Sequence, residues 1–113
     1  MIYEIRNYHF EPTRFEEYKT WAKTKALPYL KRELNLVGFW VNGEIPGEVN
    51  GEALDKLGPA NITWIIAWPD KETRDRAMPG IFSGDEWEKI FADVPGGLPN
   101  YLRMESKFTE SLL

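Results

Sequence analysis

The sequence predicts an α+β domain built as strand, helix, strand, strand, helix, strand. Three observations carry this. Two strongly β-forming segments, residues 1–10 and 101–108, stand at the two ends of the chain. An amphipathic run with helical spacing follows the first of them. Two further aromatic and β-branched runs, Leu36–Asn42 and Asn61–Trp68, precede a second helical region. That order is the split βαβ arrangement of ferredoxin-like folds, which predicts an antiparallel sheet ordered 4-1-3-2 with both helices on one face. At 113 residues the chain makes a single domain over 1–113.

The first strand alternates Tyr3, Ile5, Asn7 and His9 against Ile2, Glu4, Arg6, Tyr8 and Phe10. Both sets mix apolar and polar groups. We assign the Tyr3, Ile5, Asn7 set to the helices and the Arg6, Tyr8 set to the opposite face. Thr13-Arg14-Phe15-Glu16 has the capping-box pattern of a helix start. Phe15, Tyr18, Ala22, Ala26, Tyr29 or Leu30, and Leu34 then recur every three or four residues. Lys19, Lys23, Lys25, Lys31 and Arg32 lie mostly off that stripe and read as a solvated face, offset by nearby Glu residues. Pro28 lacks an N–H, so a kink or restart is expected there.

Residues 43–60 hold four Gly, two Pro, four acids and one Lys, the composition of a flexible acidic loop. NITWIIAW is the strongest strand signal in the chain. Asp70 can cap a short helix ending near Met78, before Pro79-Gly80. Ser83-Gly84-Asp85-Glu86 repeats the capping-box pattern ahead of Trp87, Ile90 and Phe91. Pro95 to Pro99 is a turn, and the last strand alternates Tyr101, Arg103, Glu105 and Lys107 against Leu102, Met104, Ser106 and Phe108.

With both helices on one face, the other face has no cover. Its expected members include Glu4, Arg6, Tyr8, Tyr101, Arg103 and Glu105, too aromatic for plain solvent. A second subunit is therefore expected to close over it. Glu4, Arg6, Arg103 and Glu105 read as cross-strand ion pairs at that interface, or as a clamp for an anion. Arg6 is the best single candidate for an acidic ligand, because a guanidinium matches a carboxylate.

Composition excludes several functions. There is no cysteine, so disulfides, thiolate metal sites and thiol catalysis are out. His9 is the only histidine, and one His makes no transition-metal site. At a strand end it reads as a surface or edge residue rather than a general base. The net charge of −4 argues against nucleic acid. No apolar run approaches the ~18 residues of a membrane span. The N-terminus carries charge at Glu4 and Arg6 and lacks a signal-peptide pattern, so a cytoplasmic protein is expected. No nucleophile elbow surrounds Ser83, Ser106 or Ser111, and Gly96-Gly97 has no phosphate-loop context.

Three stretches carry a family resemblance: IYEIRNYHFEPTRFEEY, LVGFWV and ITWIIAWPDKETRDRAM. They are similar to the NIPSNAP family, within the dimeric α/β-barrel superfamily. Arg6-Asn7-Tyr8 matches the family's Arg-x-Tyr opening, and Gly38-Phe39-Trp40 its Gly-aromatic-Trp strand. Ile66-Ala67-Trp68, Asp70, Arg74 and Arg76 match the third strand and its basic helix, although the family more often has Trp where Ile66 stands. Gly84-Asp85-Glu86-Trp87 resembles a late family segment, and the loop over 43–60 is longer than usual. The resemblance implies a compact homodimer with facing sheets, and little about chemistry.

Monooxygenases of that superfamily place an Asn on the first strand and a Trp on the third, in a pocket between sheet and helices. By this resemblance Asn7 and Trp64 are the candidate catalytic residues. The plainer reading makes Trp64 and Trp68 core aromatics and Asn7 a satisfied strand residue. The haem-degrading relatives also carry a ligand His on the second helix; this chain has no His between Asp70 and Val94, so no cofactor is expected. Arg6, Tyr8, Trp40, Trp68 and Arg103 are the candidate ligand-binding residues. Two functions remain. One is a NIPSNAP-like homodimer binding a small apolar or aromatic molecule; the other is a cofactor-independent monooxygenase or isomerase. A sizeable pocket between sheet and helices, lined by Asn7, Trp64 or nearby Tyr, favours the enzyme, and a filled core favours a binding or adaptor role.

Overall fold

A computed structural model describes residues 1–113. Strands β1 (Ile2–Phe10), β2 (Leu36–Val41), β3 (Ile62–Trp68) and β4 (Tyr101–Thr109) form one antiparallel sheet in the order β2-β3-β1-β4. That is the expected ferredoxin-like topology read from the other edge. Helices α1 (Phe15–Trp21), α2 (Leu27–Glu33), α3 (Lys71–Phe82) and α4 (Asp85–Phe91) pack on one face.

The first helical region bends where Pro28 requires it. Between α1 and α2 the backbone widens into a π-type turn over Ala22–Ala26, and the Leu27 N–H bonds to Ala22 O. The wider turn makes room for the proline ring, which would otherwise crowd the carbonyl four residues earlier. The Thr24 hydroxyl donates to Thr20 O at 2.7 Å.

Only one of the three expected caps forms as predicted. Asp70 accepts from the Thr73 N–H at 2.7 Å and starts α3. Thr13 instead lies inside a 3-10 turn, Pro12–Arg14, which Glu11 caps through its carboxylate. At the start of α4, Gly84 is the N-cap and Ser83 makes no capping bond. Pro79-Gly80 does not end α3, which runs through to Phe82.

The sheet face toward the helices is the reverse of the one expected. Glu4, Tyr8 and Phe10 are buried against the helices, Ile2 packs on the same core, and Arg6 shares their face. Tyr3, Ile5, Asn7 and His9 point to the other side. Two facts decided this. The larger apolar groups of β1 sit on the even-numbered set, with the Phe10 ring 4.5 Å from that of Tyr18. The charge of Glu4 is met by groups from other elements, so its burial is affordable. A register shift opposite His9 and Phe10 also moves Tyr101 onto the helix side. His9 pairs with Arg103 but Phe10 with Tyr101, leaving Leu102 as the extra residue. The four-residue interface cluster therefore divides. Glu4 and Arg6 lie under the helices, and only Arg103 and Glu105 remain on the open face.

The long loop bears on that open face as well. Asp55 reaches Arg103 at 3.4 Å. Leu54, Gly58 and Pro59 border a polar recess whose floor is Asn7, His9 and Thr63. His9 is thus buried, on an interior strand, rather than a surface or edge residue.

Candidate functional site

The site begins with a buried carboxylate. Glu4 is fully enclosed and accepts four hydrogen bonds. Trp68 Nε1 and Arg74 Nε donate to Oε1, each at 3.0 Å. Arg6 Nε at 2.8 Å and Arg74 Nη2 at 2.9 Å donate to Oε2. Burial alone pushes the Glu4 carboxyl up, but the hydrogen bonds and charges of Arg74 and Arg6 outweigh it and hold the group below its usual value. Arg74 also pairs with Asp75, which Lys71 holds from one helical turn away.

Beside this cluster lies a cavity of about 640 Å³ between sheet and helices. Arg6, Tyr8, Phe39, Trp64, Tyr101 and Met104 form its floor. Tyr18, Trp21, Ala26 and Leu30 line it from the first helical region, and Met78, Phe82, Trp87 and Phe91 from α3 and α4. The wall is apolar except where Arg6, Arg74 and Asp75 line it. There the Arg6 guanidinium donates Nη1 to the Tyr8 hydroxyl at 2.6 Å. Its carbon stands 5.1 Å from the Trp64 ring centre and 6.0 Å from that of Phe82. Burial pushes the Tyr8 phenol up, while the charge and hydrogen bond of Arg6 pull it part of the way back. The phenols of Tyr18 and Tyr101 are also pushed up, chiefly by burial, so this wall is uncharged hydroxyl at neutral pH. Trp64 Nε1 is buried with no hydrogen-bond partner.

The structure divides the residues singled out from the sequence into three places. Arg6, Tyr8 and Trp64 meet at the cavity floor. Trp68 is buried behind it, holding Glu4. Asn7, Trp40 and Arg103 lie on the opposite face of the sheet. Asn7 and Trp64, paired as catalytic candidates, thus stand on opposite sides, because odd and even residues of β1 face opposite ways and Arg6 is the register partner of Trp64. The Asn7 side-chain oxygen accepts from the Thr63 hydroxyl at 2.7 Å. The Trp40 ring packs over Gly38, where any Cβ would collide with it. Arg103 pairs with Glu105 at 2.9 Å.

Sequence reasoning missed Arg74 and the helix-borne aromatics of the cavity. Trp87 and Phe91 were visible as an apolar stripe, but a stripe reads the same whether it fills a core or lines a space. No signal in the sequence links Arg74 to Glu4.

No protein-family model matches the sequence, and no curated protein matches it. Solved structures do match. An uncharacterized NIPSNAP domain protein from Burkholderia xenovorans superposes with a TM-score of 0.73 at 16% identity, over 98% of this chain and 94% of that one. This is the fold of NIPSNAP-family proteins. A second NIPSNAP family protein of unknown function, from Agrobacterium tumefaciens, gives 0.73 at 19% identity over 98% and 87% of the two chains. An antibiotic biosynthesis monooxygenase shares the architecture more loosely, with 0.58 at 10% identity over both full chains. The NIPSNAP-like fold thus accounts for the expected element order and sheet topology across nearly the whole chain.

No group of three or more His, Asp or Glu side chains is placed to hold a metal ion. No helix is long and apolar enough to cross a membrane.

Proposed function

We propose that this protein is a NIPSNAP-like homodimer that binds a small apolar or aromatic molecule between its sheet and its helices. The cavity carries this reading: a pocket of this size also counts toward an enzyme, but Asn7, the expected catalytic partner of Trp64, does not line it and is bonded to Thr63 on the other face. About 640 Å³, with 14 of its 18 lining residues hydrophobic, is the size and character of a small-molecule site rather than a packing defect. Dimerisation is supported by the open sheet face. Tyr3, Ile5 and Ile65 are only half-buried there, and Trp40 is 52% exposed. An apolar face of that kind is what a second sheet would cover.

The test is native mass spectrometry of protein purified from its own host, beside a cavity-filling variant, Met78→Trp. Met78 sits on α3 and lines the space. A co-purifying mass of a few hundred daltons or less, lost in the variant while the fold is kept, supports the reading. Wild type without any adduct, and without a calorimetric response to small aromatic molecules, would sink it.

The second reading, a cofactor-independent monooxygenase or isomerase, gains from the unfilled cavity and from Trp64 and Tyr8 in its wall. Asn7 does not reach that space, so its proposed role there falls away. Any polar chemistry in the cavity would rest on Arg6 and Tyr8. Oxygen uptake or isomerisation with an electron-rich aromatic substrate, lost in Tyr8→Phe, is the outcome that separates this reading from simple binding.

A further inference from the structure

The polar corner of the cavity holds donors without acceptors. Arg6 has five N–H groups. One of them bonds to Glu4 and one to Tyr8, and the others have no partner in the protein. The Tyr8 hydroxyl accepts from Arg6 and donates to nothing, so its own hydrogen is available. Trp64 Nε1, on a residue only 4% exposed, is a further donor without a partner. The carboxylates nearby cannot serve. Glu4 is saturated by its four hydrogen bonds, and Asp75 is engaged by Lys71 and Arg74.

Charge does not oppose an anion here. Arg6 and Arg74 balance Glu4 and Asp75, and Lys71 adds a positive charge from the half-exposed surface outside the cavity wall. A wholly apolar ligand closing over it would leave the spare N–H groups of Arg6 and the Tyr8 O–H desolvated without acceptors, which costs affinity. A ligand amine would meet a donor and a positive charge.

We infer that the molecule bound in this cavity is a monocarboxylate with an apolar or aromatic body, its carboxylate held by Arg6 and Tyr8 beside the Trp64 indole. The inference rests on the proposed small-molecule site and specifies its ligand. One carboxylate offers acceptors to the spare N–H groups of Arg6 and to the Tyr8 O–H. The apolar body lies toward Phe82, Trp87 and Phe91.

Isothermal titration of three probes with one ring system tests it: 2-naphthoate, 2-naphthamide and 2-methylnaphthalene. Naphthoate is expected to bind at least about tenfold more tightly than either neutral probe, the scale of one hydrogen bond to a charged group. Tyr8→Phe is expected to weaken naphthoate by about tenfold and to leave methylnaphthalene within about twofold. Trp64→Phe keeps an aromatic ring and removes the N–H, and should act in the same direction. These two variants carry the test even if Arg6→Gln, which also loosens Glu4, fails to fold. Met78→Trp should abolish binding of all three. Equal affinity for the three probes would overturn the carboxylate inference while leaving an apolar site intact. Naphthoate binding that survives both Tyr8→Phe and Met78→Trp would place it elsewhere and overturn the inference too. No binding of any probe would overturn the site itself.

Discussion

Glu4→Gln isolates the buried charge that fixes the face of β1. The substitution keeps size and shape but removes the charge and turns one acceptor into a donor. Four hydrogen bonds converge on the carboxylate, two of them from Arg74. The amide nitrogen cannot accept, so two of the four hydrogen bonds are lost, one of them from Arg74 in either amide orientation, and both guanidiniums lose their counter-charge. Breaking a fully buried ion pair from one side costs about 3–5 kcal/mol. Arg6 and Arg74 keep 16% and 18% side-chain exposure, so water recovers part of that. The expected loss is about 2–4 kcal/mol. With a urea slope of about 1.5 kcal/mol/M for a chain this size, the midpoint should fall by about 1.3–2.7 M at pH 7.

The same variant fixes the sign of the acid dependence. The folded-state pKa of Glu4 is depressed, so its contribution is complete above the usual 4.5 and is lost as pH falls through the lower folded value. The gap between wild type and Glu4→Gln should therefore be constant above that point and shrink below it. Urea melts at pH 7 and in the acid range measure both. A midpoint shift under about 0.3 M at pH 7, or a gap that does not narrow in acid, would refute the reasoning.

Three further outcomes are expected. Tyr8, Tyr18, Tyr29 and Tyr101 all have raised phenol pKa values, mainly from burial, so their stabilising effect is intact below pH 10 and is lost as pH rises beyond it. At pH 11, phenolate absorbance of the native protein should thus be well below that of the urea-unfolded chain, and equal signals would contradict it. Gly96→Ala should destabilise by about 1–3 kcal/mol in thermal melts, since Gly96 has φ +73° and a Cβ would stand 1.9 Å from Asn100 Nδ2. Ile5→Arg, on the open face of β1, should convert a dimer to a monomer in sedimentation velocity with little change in circular dichroism; a wild-type monomer at micromolar concentration would remove the proposed interface.

Local rules placed most of the fold. Alternation and β-branching marked all four strands to within a residue at each end of the runs, and helical spacing marked Tyr18, Ala22, Ala26 and Leu30 as inward. Pro28 announced a break, which the backbone met with a wider turn. Caps were less legible, because Glu11 and Gly84 compete with Thr13 and Ser83 through geometry that only the neighbouring chain sets.

The sequence by itself determined the element order, the sheet topology and the residue types available for a site. It named Arg6, Tyr8 and Trp64, which do meet. Tertiary structure settled which face of β1 is buried, since the apolar weight of Ile2, Tyr8 and Phe10 had to be set against the charges of Glu4 and Arg6. A strand with Glu4 and Arg6 on its inner side reads as outward-facing until Arg74 and Trp68 arrive from seventy and sixty-four residues away to satisfy the carboxylate. It also decided that the aromatics on α3 and α4 surround a space instead of filling it. Periodicity encodes the direction in which a side chain points. How far apart the packed layers stand depends on every contact between them at once, and no local pattern carries that distance.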